Sequence, residues 1–294
     1  MQITINAYES EDKEQLKHLF QVNFEDENLL TIVYGDRKLF AYSALLNHKL
    51  VGILFAWKNT IHPNCIYFRI LVNPLYHSLP IAELLLEKLE TLTLVNLPLQ
   101  TSLWETSDSL LRIYRENGFS IIRKTYTPTL TLTKDIDLTE CKQINYKKIN
   151  LEEASANNLL MKKLTSLVRR NYEQSHLVNP VARLDYEQWQ EFILADDVLK
   201  KHSYMFLDHS EILAYSFLHK SDLKGNLELG WCGANNVEHS YLIPQLVIHQ
   251  ARDAIKLDYQ TFSGEFDTTD KYALETLNHF PFAPAPTLVT LQKK

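Results

Sequence analysis

Val72-Asn73-Pro74-Leu75-Tyr76-His77-Ser78-Leu79-Pro80-Ile81-Ala82-Glu83-Leu84-Leu85 reads as a strand end, a short loop and an apolar helix in immediate succession. Such a junction aims the unpaired N–H groups of a helix start, and the positive end of its dipole, at one point. The chemistry it offers is anion binding, and a pyrophosphate suits it. Pro80 can begin the helix, because a proline there gives up only an N–H that would be unpaired anyway. It still removes one donor from the cradle. The chain has seven glycines, at 35, 52, 118, 225, 230, 233 and 264, and none lies in this loop. Glycine is the usual means of bringing backbone close to a phosphate, so the loop must work through its remaining N–H groups and His77. Further on, Ser107 to Asn117 forms a second helix that ends at Gly118-Phe119.

Other chemistries are excluded by spacing. There is no phosphate loop closing on Gly-Lys-Ser/Thr, no Gly-x-Ser-x-Gly elbow and no His-Glu-x-x-His. The eleven histidines are dispersed without paired Cys/His ligand spacing, so no metal is expected.

The elements that position the junction follow from periodicity. Ile3 to Ala7 reads as a strand, and Ser10 to Val22 as a helix capped by Ser10. Leu39 to Leu46 and Lys49 to Trp57 form a hairpin around Asn47-His48. Cys65 to Val72 is a strand stopped at Asn73-Pro74, and Ile81 to Leu94 a helix. A strand at Leu97 to Trp104, the helix from Ser107, and strands at Phe119 to Tyr126 and Thr129 to Thr133 close the unit. The second half repeats this order. Ile144 to Ile149 is a strand, Leu151 to Tyr172 one long helix and Tyr186 to Leu194 another. Strands follow at Ser203 to Leu207, Glu211 to His219 and Leu227 to Cys232. A helix at Leu242 to Leu257, a strand at Thr261 to Phe266, a helix at Asp270 to His279 and a strand at Thr287 to Leu291 complete it.

The halves also match by residue. A shift of 162 places Tyr42 over Tyr204, Gly52 over Ala214, Phe55 over Phe217, Asn73 over Asn235 and His77 over His239; a shift of 163 places Phe119 over Phe282. A repeat this long implies duplicated domains, not a solenoid. The reading is therefore a mixed-sheet α/β (α+β) protein of two tandem domains, residues 1–135 and 143–294, joined by a hydrophilic linker at 136–142.

The two segments together resemble the Gcn5-related N-acetyltransferase family. Its pattern is Val-x-Pro, a glycine-bearing loop and an apolar helix, then Tyr-x-x-x-Gly-Phe. Val72, Pro74, Ala82, Leu85, Tyr114, Gly118 and Phe119 match it. His77 stands where the family has Arg or Gln, Pro80 replaces the first glycine, and Ser107 the helix-start Asn. The resemblance implies two acyl-CoA N-acyltransferase-like domains and acetyl-CoA as co-substrate. Backbone of Ile70, Leu71 and Val72 would pair with its pantetheine arm, and His77, Ser78, Leu79, Pro80, Ile81 and Ala82 would hold its pyrophosphate. Ser107 would border it, and Tyr114 would be the general acid on the departing thiolate. Glu105, just after a strand bordering the cleft, is the base to test first. The second copy, Asn235-Asn236-Val237-Glu238-His239-Ser240-Tyr241-Leu242-Ile243, has no glycine and carries Glu238, which repels phosphate; Leu277 stands at the place of Tyr114. Tyr172, His176, Asn179 and Pro180 form a polar group that ends a helix or contacts an acceptor.

Composition narrows the partners. A net charge of −6 argues against non-specific binding to nucleic acid or an anionic membrane and suits a cationic acceptor such as an amine. No apolar run approaches the ~18 residues of a membrane span, and the N-terminus lacks a signal-peptide pattern. Cys65, Cys141 and Cys232 are too scattered for a disulfide framework, so a reducing, cytoplasmic setting is expected. The resemblance implies a small-molecule or peptide amine as acceptor. In the resembling family strand edges often pair, so a homodimer stays open. Two rivals also stand: a degenerate copy that binds CoA or a metabolite without turnover, and a scaffold with no ligand.

Overall fold

The computed structural model describes residues 2–9, 13–92, 97–133 and 145–294. Ser10, Cys141 and the expected linker at 136–142 lie outside the described residues. The chain folds into two compact units, one of Met1–Ile122, Asn179–Ala182 and Val289–Lys294, the other of Arg123–Val178 and Arg183–Leu288.

In chain order the elements are β1 (Ile3–Ala7), α1 (Lys13–Val22), α2 (Leu30–Tyr34), β2 (Lys38–Leu46), β3 (Lys49–Trp57), β4 (Ile66–Val72) and α3 (Ile81–Thr91). Then come β5 (Leu99–Trp104), α4 (Asp108–Glu116), β6 (Ser120–Tyr126) and β7 (Thr129–Thr131). The second half supplies β8 (Lys147–Asn150), α5 (Leu151–Ser155), α6 (Asn158–Ser175), α7 (Tyr186–Ile193), β9 (Tyr204–Asp208), β10 (Glu211–Lys220) and β11 (Asn226–Ala234). It ends with α8 (Leu242–Lys256), β12 (Thr261–Gly264), β13 (Phe266–Asp267), α9 (Lys271–His279) and β14 (Thr287–Lys293).

The sheet of the first unit runs β1-β2-β3-β4-β5-β14-β6. Its central strands are apolar on both faces because helices cover both. Leu16, Leu19 and Phe20 of α1, with Ile32 and Val33 of α2, pack against Ile53, Phe55 and Leu71. On the other face Ile81, Leu85 and Leu89 of α3 and Ile113 and Tyr114 of α4 pack against Leu54, Phe68 and Ile70. Gly52 on β3 lets α3 come this close: a Cβ there would lie 2.8 Å from the Ile81 side chain and 3.1 Å from the Leu71 carbonyl. The β2–β3 turn reads as expected, with Asn47 and His48 both at positive φ, the backbone a two-residue hairpin needs.

The sheet of the second unit runs β7-β12-β11-β10-β9-β8. α6 and α7 cover one face through Leu164, Val168 and Ile193, and Val247, Ile248 and Ala251 of α8 cover the other. The repeat is literal at one bond: Asn73 N–H donates to Val51 O at 2.8 Å, and Asn235 N–H donates to Leu213 O at 2.9 Å, each pair displaced by the same 162 positions.

Two expectations need correction, and one element had no sequence signal. The helix read over Leu151 to Tyr172 is two, because the Asn157 side chain accepts from Leu159 and Leu160 N–H and starts a new one. α2 was not foreseen; five residues are too short for a periodic signal. The halves also trade strands. β7, expected to close the first unit, pairs antiparallel with β12, and β14 stands between β5 and β6. Hydrophobic alternation marks a strand but says nothing of its neighbours. Because Leu291 on β14 is fully buried in the first unit's core, Leu291→Ala should cost about 2–5 kcal/mol. A loss of unfolding free energy in urea smaller than about 1 kcal/mol would contradict the placement of this strand.

Candidate active site

Strands β4 and β5 are parallel neighbours for only two residue pairs, Ile66 with Leu99 and Tyr67 with Gln100. β4 continues to Val72 and β5 to Trp104, so past Gln100 they part and leave a V-shaped opening in the sheet. The direction of the backbone groups follows from two bonds. Ile66 N–H donates across to Pro98 O at 2.8 Å, and Asn73 N–H donates the other way, to Val51 O. Strand alternation then turns the N–H and C=O of Ile70 and Val72 into the opening, and those of Leu71 toward β3. Of the three residues expected to pair with a bound chain, two therefore offer main-chain groups; Leu71 serves the core instead, buried against α1.

Beyond Val72 the loop is a tight turn. The Asn73 side chain accepts from Leu75 N–H at 3.0 Å, Leu79 N–H donates to Tyr76 O at 3.0 Å and Ile81 N–H to Leu79 O at 2.7 Å. These bonds consume donors. Among the described residues the amides of Ser78, Ala82 and Glu83 have no acceptor, the last two because they lie in the first turn of α3. Pro80 stands at the cap without a side-chain bond. His77 folds back, its Nδ1 2.6 Å from Pro74 O; a neutral ring donating there leaves Nε2 an acceptor, and only the imidazolium would donate to an anion. Glu83 is an addition to the expected set. Its amide points into the cradle, yet its exposed carboxylate sits at the helix start, where it competes with a bound anion. The rule that the first turn leaves its amides open could have found it in the sequence.

Tyr114 on α4 is 1% exposed. Its ring meets Phe68 edge-on at 5.7 Å and Phe119 at 5.3 Å, and Gly118, at φ 83, ends the helix so that Phe119 can turn back. The hydroxyl lies beside the Thr101 side chain, on the first residue of β5 past the last paired one, so it marks the apex of the opening. Burial holds the phenol well above its ordinary range, while the nearby Arg69 guanidinium works in the opposite direction. Arg69 is itself fixed: Nε donates to Glu25 Oε2 at 3.2 Å and Nη1 to Thr101 Oγ1 at 3.4 Å. Glu25 and Arg69 gave no signal in the sequence, since an ion pair 44 residues apart has no local spacing.

The base of the opening is also pinned. Asn179 Nδ2 lies 2.7 Å from Tyr67 Oη and 3.2 Å from both Gln100 Oε1 and Cys65 Sγ. Gln292 on β14 donates to the same Gln100 oxygen at 3.2 Å. Cys65 is fully buried, and desolvation pushes its thiol up to about 11, so it is a packing residue and not a nucleophile. Ser107 caps α4 without a side-chain bond. Glu105 is exposed in the turn after β5, four residues past Thr101, or ~13 Å along an extended strand.

The polar group expected after the long helix is divided. Asn179 and Pro180 belong to the first unit. Tyr172 and His176 stack at 4.1 Å in the second, with Trp231 5.1 Å from Tyr172 and Arg123 3.2 Å from both His176 and Asp267. The second unit has its own opening past Leu229 and Gly264, but Asn171 Nδ2 already donates to Ala234 O there at 3.2 Å. At the helix start Ile243 N–H is tied to Ser240 O, and Pro244 has no N–H.

No protein-family model matches the chain, and no curated protein matches it in sequence. Solved structures do match. A GCN5-related N-acetyltransferase from Sphaerobacter thermophilus is 10% identical, with a TM-score of 0.64 over 99% of this chain and 95% of that one. A tandem GNAT protein from the clavulanic acid biosynthesis pathway, solved without AcCoA, is 10% identical, with a TM-score of 0.61 over 99% and 98%. A GNAT-family acetyltransferase from Colwellia psychrerythraea is 12% identical, with a TM-score of 0.55 over 99% and 100%. With the parted parallel strands, the strand–loop–helix junction and the 162-residue repeat, these likenesses establish that the chain has the GCN5-related N-acetyltransferase fold.

Proposed function

We propose that the first unit transfers an acetyl group from acetyl-CoA to a primary amine. The observation that carries this reading is the opening between β4 and β5, with main-chain groups of Ile70 and Val72 along one side and the Tyr114 hydroxyl at its apex. The residues present fit the co-substrate. Ile70 and Val72 would pair with a pantetheine arm as an added strand does, and the open amides of Ser78, Ala82 and Glu83 would receive the diphosphate.

Acetyl-CoA supplies an acyl group already activated as a thioester. The chain's part is to place it and to receive charge. As the amine nitrogen bonds to the carbonyl carbon, the C–S bond breaks and its electron pair goes to sulfur. The surplus amine proton leaves to solvent. Tyr114 donates toward that sulfur. A phenol held above its ordinary range is too weak an acid to yield its proton fully to a thiolate, whose conjugate thiol titrates near 8.5, so Tyr114 stabilises the leaving group by hydrogen bonding. Glu105 has no evident part at the apex.

A second reading has its own support. The Glu83 carboxylate at the helix start and the missing donor at Pro80 favour a chain that binds CoA without turnover. Calorimetric titration with acetyl-CoA, followed by thioester cleavage on a panel of amines, separates the two. Saturable binding with cleavage above background is expected. Binding alone selects the second reading, and no binding at millimolar acetyl-CoA defeats both. Tyr114→Phe should lower kcat about tenfold or more, the worth of one leaving-group hydrogen bond, with CoA affinity little changed; unchanged turnover removes its role. Glu83→Gln should tighten CoA about two- to fivefold by removing a like charge from the helix start. Weaker binding in that titration would place the diphosphate elsewhere.

A further inference from the structure

Arg69 and Thr101 both lie just past the last paired residues of their strands, Tyr67 and Gln100. Arg69 Nη1 donates to Thr101 Oγ1 and to the Phe68 carbonyl, each at 3.4 Å, so the guanidinium bridges β4 and β5 where they part. It is fixed from two further sides. Nε donates to Glu25 Oε2 at 3.2 Å, and the group lies 5.9 Å from the centre of the Trp57 ring. A guanidinium has five N–H donors, and these bonds use only Nε and Nη1. Among the described residues Nη2 has no acceptor, yet it is not among the buried unpaired atoms, so it opens to solvent. Glu25 Oε1 accepts from the Asp26 N–H alone, at 3.2 Å, and keeps a lone pair open. The two side chains are 15% and 20% exposed, enough to be reached by a small molecule. Phe68 and Ile70 point into the core under α3 and α4. Alternation turns Arg69 to the other face, the one left for an acceptor. Under the acetyl-transfer reading the diphosphate sits at the start of α3 and the pantetheine arm runs back past Val72 and Ile70. The acyl end then comes to rest by the next residue, Arg69, ~3.3 Å further along the strand.

We propose that the acceptor is an α-amino acid, its carboxylate received by Arg69 Nη2 and its amino group by Glu25, beside the acyl carbon. The inference rests on the acetyl-transfer reading given above and names the amine. Charge decides the class. Glu25 neutralises Arg69, so the pair as a whole attracts neither a simple cation nor a simple anion. A zwitterion offers one charge to each partner. The planar guanidinium suits a carboxylate, and the open Glu25 oxygen suits an N–H donor. The partners stand 3.2 Å apart, so the ligand's two charges must also be close. In an α-amino acid the nitrogen is two bonds from the carboxyl carbon. A peptide separates its amine from its carboxylate, and a polyamine has no anion. A partly buried ion pair costs desolvation that its own attraction only partly returns, and a ligand that fills the open donor and acceptor returns more. The ammonium loses its proton to solvent before attack, and transfer then runs as described above.

The test uses the full chain and acetyl-CoA with the common amino acids, each beside its amide and its decarboxylated amine. Each set keeps the side chain and removes only the negative charge or the whole carboxyl group. In at least one set the free amino acid should show kcat/KM about tenfold or more above both partners, the discrimination one charge-assisted hydrogen bond supplies. Arg69→Gln should raise KM for that amino acid about tenfold or more while KM for acetyl-CoA stays within about twofold. The amide and the decarboxylated amine should change by less than about threefold in the same variant. Arg69→Lys keeps the charge without the fork and should restore part of the preference. Should Arg69→Gln fail to fold by circular dichroism, Glu25→Gln/Arg69→Gln, which leaves no unpaired charge, should show the same loss of preference. A parent chain that uses the amides or decarboxylated amines as well as the amino acids overturns the inference while the acetyl-transfer reading stands. A preference that survives in the folded variant removes Arg69 from recognition, and the inference falls. A parent chain that binds acetyl-CoA but acetylates none of the amines overturns both.

Discussion

The parting of β4 from β5 after Gln100 is the constraint on which the site depends. Two parallel strands that begin to pair gain a hydrogen bond for nearly every further residue, so stopping after two pairs leaves backbone groups that must find other partners. Ile70 and Val72 carry that cost. The strands are held apart at the point of divergence. Asn179 and Gln292 both donate to the side chain of Gln100, and the Tyr114 hydroxyl meets Thr101 at the next residue. The other edge of β5 is occupied by β14. An opening built this way is strand-shaped and edged by polar main-chain groups, which under the proposed function pair with an extended ligand.

The two units show how the same duplicated frame diverges. The Asn73–Val51 and Asn235–Leu213 bonds repeat at one shift, and both sheets part beside the strand that those asparagines end. The first unit leaves its slot open and keeps a tyrosine at the apex. In the second, Asn171 has moved onto the Ala234 carbonyl, Leu277 replaces the tyrosine, and Pro244 removes an amide from the helix start. Tyr172, His176, Trp189 and Trp231 pack against one another instead. Aromatic packing of this kind contributes to stability on its own.

Local chemistry made much of this legible. The Asn47-His48 hairpin, the Asn73-Pro74 stop, the α4 limits and the Gly118 turn all rest on residue types with one dominant backbone preference. The repeat followed from the sequence because strands and helices recur at a near-constant shift. What the sequence withheld is non-local. Nothing in Thr287 to Leu291 says which sheet it joins, nothing in Asn179 that it reaches Gln100, and nothing in Glu25 that it meets Arg69. The inward and outward turns of the β4 backbone were also hidden, since side-chain alternation marks faces and not edges. They emerged only from the bonds of Ile66 and Asn73.

Amide hydrogen exchange on the described strands tests the central claim most directly. On addition of millimolar acetyl-CoA, exchange at the amides of Ile70 and Val72 should slow markedly while that at Cys232 and Ala234 stays as it was. Unchanged exchange at Ile70 and Val72, or slowing confined to Cys232 and Ala234, would contradict a co-substrate slot in the first unit.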